Sequence, residues 1–447
     1  MMRIRPALWL MGCLACTGAS VDVGTDGDAT PMLPCVNGFE AEARDIVLPS
    51  GMTASDTRMP TLWVEDLDAD GRLDLLVFPE TASSEWQWYR GVEGGFEDAA
   101  TWSRPVLSGL SLDTPSGTLP CPVSSEDTGL SEKPASEGQA LSWTLLDMTG
   151  DRRIDLLVTD RCDNPDDRAW QVYQSNGSGF VDTPTRWALP DRYGDTLNAL
   201  NGDGSTTWRV VDLDGDRLRD LVVLDEVGGS ALLGTEEWYV HLSNGSRFAE
   251  TQVFWDLPEL PRSTSFKALD GTIDCGAGQR RWDLMALDDE AVDLVLYGDC
   301  DTLDELLVYR NDSVRFAPTP TRRMVDGEFD VVSLQACGDG HVPARLLDLE
   351  GDHDLDVLGT GSCTDPGWSL AESRLGGFAE RGFSMPDLGL MGPDDTMSCG
   401  GGSEARHLVI DVDGDGQVDL LRMGNCADPA VGAERWEWHK GTCAFPE

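Results

Sequence analysis

Basic residues and histidine are scarce in this 447-residue chain. Only 33 Lys plus Arg stand against 80 Asp plus Glu, giving a formal net charge of -47, and there are five histidines. A surface this negative repels phosphate backbones and anionic headgroups, which excludes nucleic acid and an anionic membrane as ligands. Beyond the extreme N-terminus no apolar run reaches the roughly 18 residues that a membrane-spanning helix needs. His241, His341, His353, His407 and His439 lack metalloprotease spacing, and no G-x-S-x-G elbow or phosphate-binding glycine loop occurs. Between residues 35 and 447 there is no C-x-x-C pair or Cys/His cluster, which argues against zinc. What is present excludes disorder. Forty per cent hydrophobic residues and 15 Trp spread along the chain supply a core that acidic disordered chains lack.

Arg3 and Arg5 precede a short apolar run ending at small residues and cysteine, the build of a secretory signal. Leu10-Met11-Gly12-Cys13 and Cys13-Leu14-Ala15-Cys16 both resemble a bacterial lipobox, whose cysteine carries acyl chains after cleavage. The expectation is a lipoprotein signal over 1–15, lipidation at Cys16 (or Cys13), a flexible tether over 16–34 and a folded part over 35–447. Small polar residues without periodicity give that tether an r.m.s. span of roughly 24 Å. Membrane association then runs only through the lipid anchor, on a bacterial cell envelope, at the outer membrane or cell surface.

One unit recurs along the folded part. Asp66-Leu-Asp-Ala-Asp-Gly-Arg-Leu-Asp74 is followed by Leu-Leu-Val, and so is Asp147-Met-Thr-Gly-Asp-Arg-Arg-Ile-Asp155. Asp212-Leu-Asp-Gly-Asp-Arg-Leu-Arg-Asp220 is followed by Leu-Val-Val. Asp348-Leu-Glu-Gly-Asp-His-Asp-Leu-Asp356 and Asp411-Val-Asp-Gly-Asp-Gly-Gln-Val-Asp419 come later, and a degenerate copy between Asp220 and Asp348 has Ala286 at its leading place. Each copy is preceded by an apolar segment and followed by an aromatic one with two-residue alternation, such as Trp86-Gln-Trp-Tyr89 or Trp238-Tyr-Val-His241. Gly-Phe or Arg-Phe pairs at Phe180, Phe248, Phe316 and Phe378 then lead toward Leu-Pro or Met-Pro. Four short strands repeated without helical periodicity predict an all-β fold, a β-propeller of about six four-stranded blades, with seven possible. The last copy stops where a Gly-Phe strand should begin, and residues 37–49 carry one. The N-terminal strand is therefore expected to complete the last blade and remove an open sheet edge. Residues 104–142 and 258–281 read as the longest irregular insertions and as the specificity elements.

Cysteines recur in register with the units, before the first strand and after the second. Cys121 with Cys162, Cys275 with Cys300, Cys337 with Cys363 and Cys399 with Cys426 fall in these places, and Cys35 with Cys443 lie at the two ends that ring closure joins. Five disulfides imply an oxidising compartment.

Oxygen donors at the first, third, fifth and ninth places of a short loop, with glycine at the fourth or sixth for a sharp bend, suit a hard cation taking six to eight oxygens. Calcium is the expected cofactor. The ligand sets are Asp66, Asp68, Asp70 and Asp74; Asp212, Asp214, Asp216 and Asp220; Asp348, Glu350, Asp352 and Asp356; and Asp411, Asp413, Asp415 and Asp419. Thr149 leaves Asp147, Asp151 and Asp155 as a weaker set. An EF-hand is excluded, because its twelfth place is apolar, as at Val77 and Val223.

The D-x-D-x-D-G-x-x-D-L-L-V loops and Gly-Phe pairs resemble the FG-GAP or VCBS-type repeats of integrin alpha-chain propellers and bacterial surface proteins. The resemblance covers most of residues 35–447. It implies calcium within the blades and a role in adhesion or ligand binding, with a protein or glycan ligand. No catalytic motif is found. The alternative is a polysaccharide-degrading enzyme, a lyase or glycosidase, using a carboxylate pair on the same scaffold.

Overall fold

The computed structural model describes residues 38–49, 62–78, 85–92, 94–105, 116–120, 140–159, 169–192, 206–226, 229–259, 265–267, 271–274, 279–285, 291–297, 305–325, 344–347, 349, 356–359, 369–374, 377–381, 396–400, 403–415 and 417–442. Among these residues the regular secondary structure is β-strand, and no helix is long and apolar enough to cross a membrane.

The apolar run after each acidic loop forms the second strand of a blade. Asp74–Val77, Asp155–Val158, Asp293–Tyr297 and Asp356–Gly359 are buried at every residue. That explains why they read as continuous apolar runs: both faces of the strand are covered. Around them the chain builds antiparallel meanders. Blade one is Leu62–Glu65, Asp74–Val77, Trp86–Tyr89 and Ala100–Trp102. Blade two runs through Ala140–Leu146, Asp155–Val158, Ala169–Tyr173 and Thr185–Ala188. Thr206–Val211, Asp220–Glu226, Glu237–His241 and Val253–Asp256 form blade three. Blade four is Gln279–Met285, Asp293–Tyr297, Glu305–Tyr309 and Thr321–Val325. Blade five is Ala344–Leu347, Asp356–Gly359, Ser369–Arg374 and Gly377–Arg381. Ser403–Ile410, Asp419–Arg422 and Arg435–His439 make three strands of blade six, and Arg44–Val47 pairs with the last of them, Ile46 opposite Trp436. The fold is a six-bladed β-propeller closed by its N-terminal strand.

Closure has a second rung, because Gly38–Phe39 pairs with Gly441–Thr442. Ile46 and Leu48 share one buried cluster with Trp436, Trp438, Leu62 and Leu75, so the seam between the last and first blades is apolar.

Two expectations from sequence are corrected. Residues 104–142 are not all loop: Ser116–Pro120 is a strand beside Ala140–Leu146, with Leu119 opposite Leu141. Thr272–Asp274, inside 258–281, and Thr396–Gly400 are added in the same place in blades four and six. These segments lack apolar alternation, and pairing with an already formed first strand defines them. The possible seventh blade is therefore an extension of blade two. The second correction concerns the Phe pairs, which are not the start of the fourth strand in blades two to four. Phe180, Phe248 and Phe316 instead fold back in single bridges onto Ser175, Ser243 and Asn311.

That fold-back drives each Phe into the preceding blade. Phe180 sits edge-on to Trp86 and Trp102, Phe248 to Trp170 and Trp187, and Phe316 to Trp238 and Trp255, with centroids 5.4 to 6.3 Å apart. Each Trp pair lies opposite in register on the third and fourth strands of one blade. The recurring Trp residues are thus inter-blade packing, and all six are buried. Backbone bonds run across the same joints, from Phe180 N–H to the Ser103 carbonyl and from Phe316 N–H to that of Asp256.

Candidate metal centres

The acidic loops link the first strand of each blade to the second and are built by their own carboxylates. In loop one, Asp66 accepts from the Asp70 and Gly71 amides at 3.0 and 2.8 Å. In loop three, Asp212 accepts from Gly215 and Arg217 at 2.9 and 2.8 Å. The fifth-place aspartate bonds the amide two residues on, as Asp70 to Arg72 and Asp216 to Leu218. Short carboxylates holding nearby amides make a tight turn. Both the fourth and the sixth places take left-handed backbone: Ala69 and Gly71, Gly150 and Arg152, Gly215 and Arg217 all have φ between 62° and 87°. At Gly414 a side chain is excluded as well, since an added Cβ would lie 2.1 Å from the Gly71 carbonyl of loop one.

The ninth-place aspartate behaves differently from the others. Asp74, Asp155, Asp220 and Asp419 are fully buried, and each uses both oxygens on backbone. One oxygen accepts from the second residue of the loop, as at Leu67, Met148, Leu213 and Val412, at 3.0 to 3.1 Å. The other accepts from Gly91, Ser175, Ser243 or Gly441, just after the third strand, at 2.7 to 2.9 Å. Asp293 likewise accepts from the Asn311 amide, and Asp356 from that of Leu349. The group is therefore a staple between the loop and the end of the third strand.

Three sets of carboxylates converge among the described residues. Ligand oxygens of Asp66, Asp68 and Asp70, of Asp212, Asp214 and Asp220, and of Asp411, Asp413 and Asp419 lie within 4.8 Å of one another. Asp74, Asp216 and Asp415, expected as fourth ligands, stand outside these groups. Asp147, Asp151 and Asp155 form no such group; the third-place Thr149 hydroxyl donates to Asp155 at 3.2 Å. Asp348, Glu350 and Asp352 lie outside the described residues. An all-carboxylate donor set is hard, suited to calcium or magnesium rather than to thiophilic metals.

Burial raises these carboxyls. Asp74, Asp155, Asp220 and Asp419 are pushed up to about 7, first by burial and then by neighbouring loop acids, against the pull of their backbone donors. Asp212 rises to about 6 for the same reason, and burial together with Asp216 raises Asp214. A group whose folded value lies above its unfolded one stabilises while protonated and loses that contribution as pH rises through the folded value. In chelator, the melting temperature should fall as pH goes from 5 to 7.5; a rise over that window would contradict these environments.

Sequence reasoning missed the cations of this region. Arg90 lies 2.7 Å from both Asp68 and Asp70, and Lys440 pairs with Asp413 and Asp415. Arg219 takes the eighth place of loop three, apolar in the other loops, and its Nε lies 3.3 Å from the Asp147 carbonyl of blade two. Burial pulls its guanidinium down against the charges of Asp147, Asp212 and Glu65. Glu65, at the end of the first strand of blade one, accepts from the Trp63 indole at 2.9 Å and is pushed up to about 7 by burial. The one available signal was a basic residue following an aromatic strand, some 20 residues beyond the loop.

Of the cysteines, Cys426 is disulfide-bonded. Cys399 belongs to the Thr396–Gly400 strand, and Cys13, Cys16, Cys35, Cys121, Cys162, Cys275, Cys300, Cys337, Cys363 and Cys443 lie outside the described residues.

No family model matches the chain, and no curated protein does. Solved structures with some likeness include a Photorhabdus luminescens Tc holotoxin pore, 16% identical over 91% of this chain with a TM-score of 0.48. An Agrocybe aegerita lectin described as recognising non-reducing terminal N-acetylglucosamine is 17% identical over 72% of this chain, with a TM-score of 0.38. A glycoside hydrolase family 43 arabinoxylan arabinofuranohydrolase from Bacillus subtilis is 9% identical over 90%, with a TM-score of 0.25. This chain spans 15%, 65% and 63% of the three, respectively. At these scores none bears on function, and the fold rests on the strand pairing above.

Proposed function

We propose that this chain is a calcium-stabilised propeller of the FG-GAP or VCBS type, lipid-anchored at Cys16 (or Cys13) on a bacterial envelope, acting as a ligand-binding or adhesion module for a protein or glycan. One observation carries the reading. In blades one, three and six the same loop gathers oxygens of three aspartates within 4.8 Å, on a backbone whose turns are already set. A hard divalent ion there would neutralise like charges and tie the first strand to the second, leaving the connections over 104–142 and 258–281 to contact a ligand. The cysteine register supports pairing of Cys426 with Cys399 and of the other cysteines as the sequence spaces them.

The test has two arms. Melting in calcium against chelator should show a clear loss of stability on chelation, since a site at 100 times its Kd contributes about 2.7 kcal/mol. An unchanged melting temperature would remove calcium from the reading. A glycan and protein array should then show capture without release of sugar products; shortened saccharides would make the chain a polysaccharide-degrading enzyme instead.

A further inference from the structure

The two ends of the ring differ. Each first strand runs into its acidic loop, so the loops mark one end and the starts of the first strands mark the other. The third strand returns to the acidic end: Gly441 follows Arg435–His439 and donates its amide to Asp419 at 2.7 Å. Gly38–Phe39 pairs there, Gly38 opposite Thr442, and the Glu40 amide reaches the Lys440 carbonyl at 2.8 Å. Arg44–Val47 then runs away from the loops, Arg44 opposite Trp438 and Val47 opposite Arg435. The chain preceding Gly38 therefore departs from the acidic end, at blade six. At the far end three blades are enlarged. Ser116–Pro120 pairs with Ala140 to Thr144, Thr272–Asp274 with Gln279 to Arg281, and Thr396–Gly400 with Ser403 to Arg406. Each addition lies at the start of a first strand, on the edge that the second strand leaves free. Among the described residues blades one, three and five carry no such strand, so the additions fall on every second blade. Leu232, between Asp220–Glu226 and Glu237–His241, also lies at this end and is 43% exposed.

We propose that the N-terminal anchor turns the acidic end of the ring toward the membrane and presents the far end, rimmed by the added strands of blades two, four and six, to a macromolecular partner. The inference rests on the lipid-anchored binding module proposed above and says which of its faces binds. The tether expected over 16–34 spans roughly 24 Å, close to the radius of gyration of about 22 Å for a domain of this length. The way round the ring is longer than that radius, so bringing the far end against the membrane would stretch the tether and cost it conformational freedom. A protein or glycan chain on an opposing surface then meets the far end first. The closing strand thus does two things: it completes blade six, and it fixes the end from which the tether leaves.

Labelling of the lipidated full chain on phosphatidylcholine vesicles decides the matter. An azide-bearing residue is introduced either at Leu232 or at Val314, which is 61% exposed at the acidic end on the hairpin between Glu305–Tyr309 and Thr321–Val325. A small membrane-impermeant cyclooctyne dye should label both positions. Cyclooctyne-bearing streptavidin, too large to enter beneath the ring, should couple at Leu232 at least tenfold faster than at Val314 relative to the dye, and the two rates should converge in detergent. Equal coupling on the vesicles, or faster coupling at Val314, overturns the inference and leaves the anchor standing. A full chain that does not float with the vesicles removes the anchor and the inference together. Should the Val314 variant not fold, Arg247, exposed on the corresponding hairpin of blade three, poses the same question.

Discussion

Asp220→Ala is expected to cost about 4 kcal/mol of folding free energy in chelator, as two buried amides lose their only acceptor at about 1–3 kcal/mol each. Those amides belong to Leu213 and Ser243, at 3.0 and 2.8 Å from the carboxylate. Asp216→Ala, in the same loop, removes one exposed bond to Leu218 and should stay within about 0.5–1 kcal/mol. Working without metal keeps the comparison to the staple, since Asp220 also belongs to the converging carboxylates of loop three. Urea unfolding followed by tryptophan fluorescence reads the difference. Equal losses in the two variants would mean that the ninth aspartate is one loop acid among several.

Phe316→Ala should be nearly as severe, at about 3–5 kcal/mol, the range for emptying a buried aromatic site. The ring is 2% exposed and sits edge-on to Trp238 and Trp255, at 5.8 and 6.3 Å, so its loss opens the joint between blades three and four. Val314, on the same hairpin and 61% exposed, is the control; Val314→Ala should change stability by less than about 0.5 kcal/mol. Comparable effects from the two would place the stabilisation in the hairpin turn and not in the aromatic joint.

The propeller is legible in the chain because its unit repeats. Five loops with acids at fixed places, each followed by at least two apolar residues, can be aligned by eye, and the half-repeats at the two ends announce closure. What escapes is whatever depends on a distant partner. Ser116–Pro120 becomes a strand through pairing with Ala140–Leu146. Asn311 shows the same limit: its Asn-Asp-Ser spacing matches the turns at Asn176 and Asn244, yet it sits one place earlier in register. Its amide crosses to the Leu213 carbonyl of the neighbouring blade, and Asp312 makes the turn. Among the loop acids, spacing gives all of them one role, whereas burial separates the ninth from the first, third and fifth. Arg90 and Lys440 are hidden for a similar reason, since only the return of the third strand brings them over acids that precede them by 20 and 27 residues.

The strand that closes the ring, Arg44–Val47, is made long before the strand it pairs with, Arg435–His439. The His439 Nδ1–H donates a hydrogen bond to the Glu40 carbonyl at 2.9 Å across 399 positions of sequence. At about 5–20 residues per second, Arg44–Val47 waits roughly 20 to 80 s for its partner. Throughout that interval Arg44–Val47 lacks the strand it pairs with in the closed ring. Exchange of that strand between two chains would preserve the same backbone pairing with Arg435–His439.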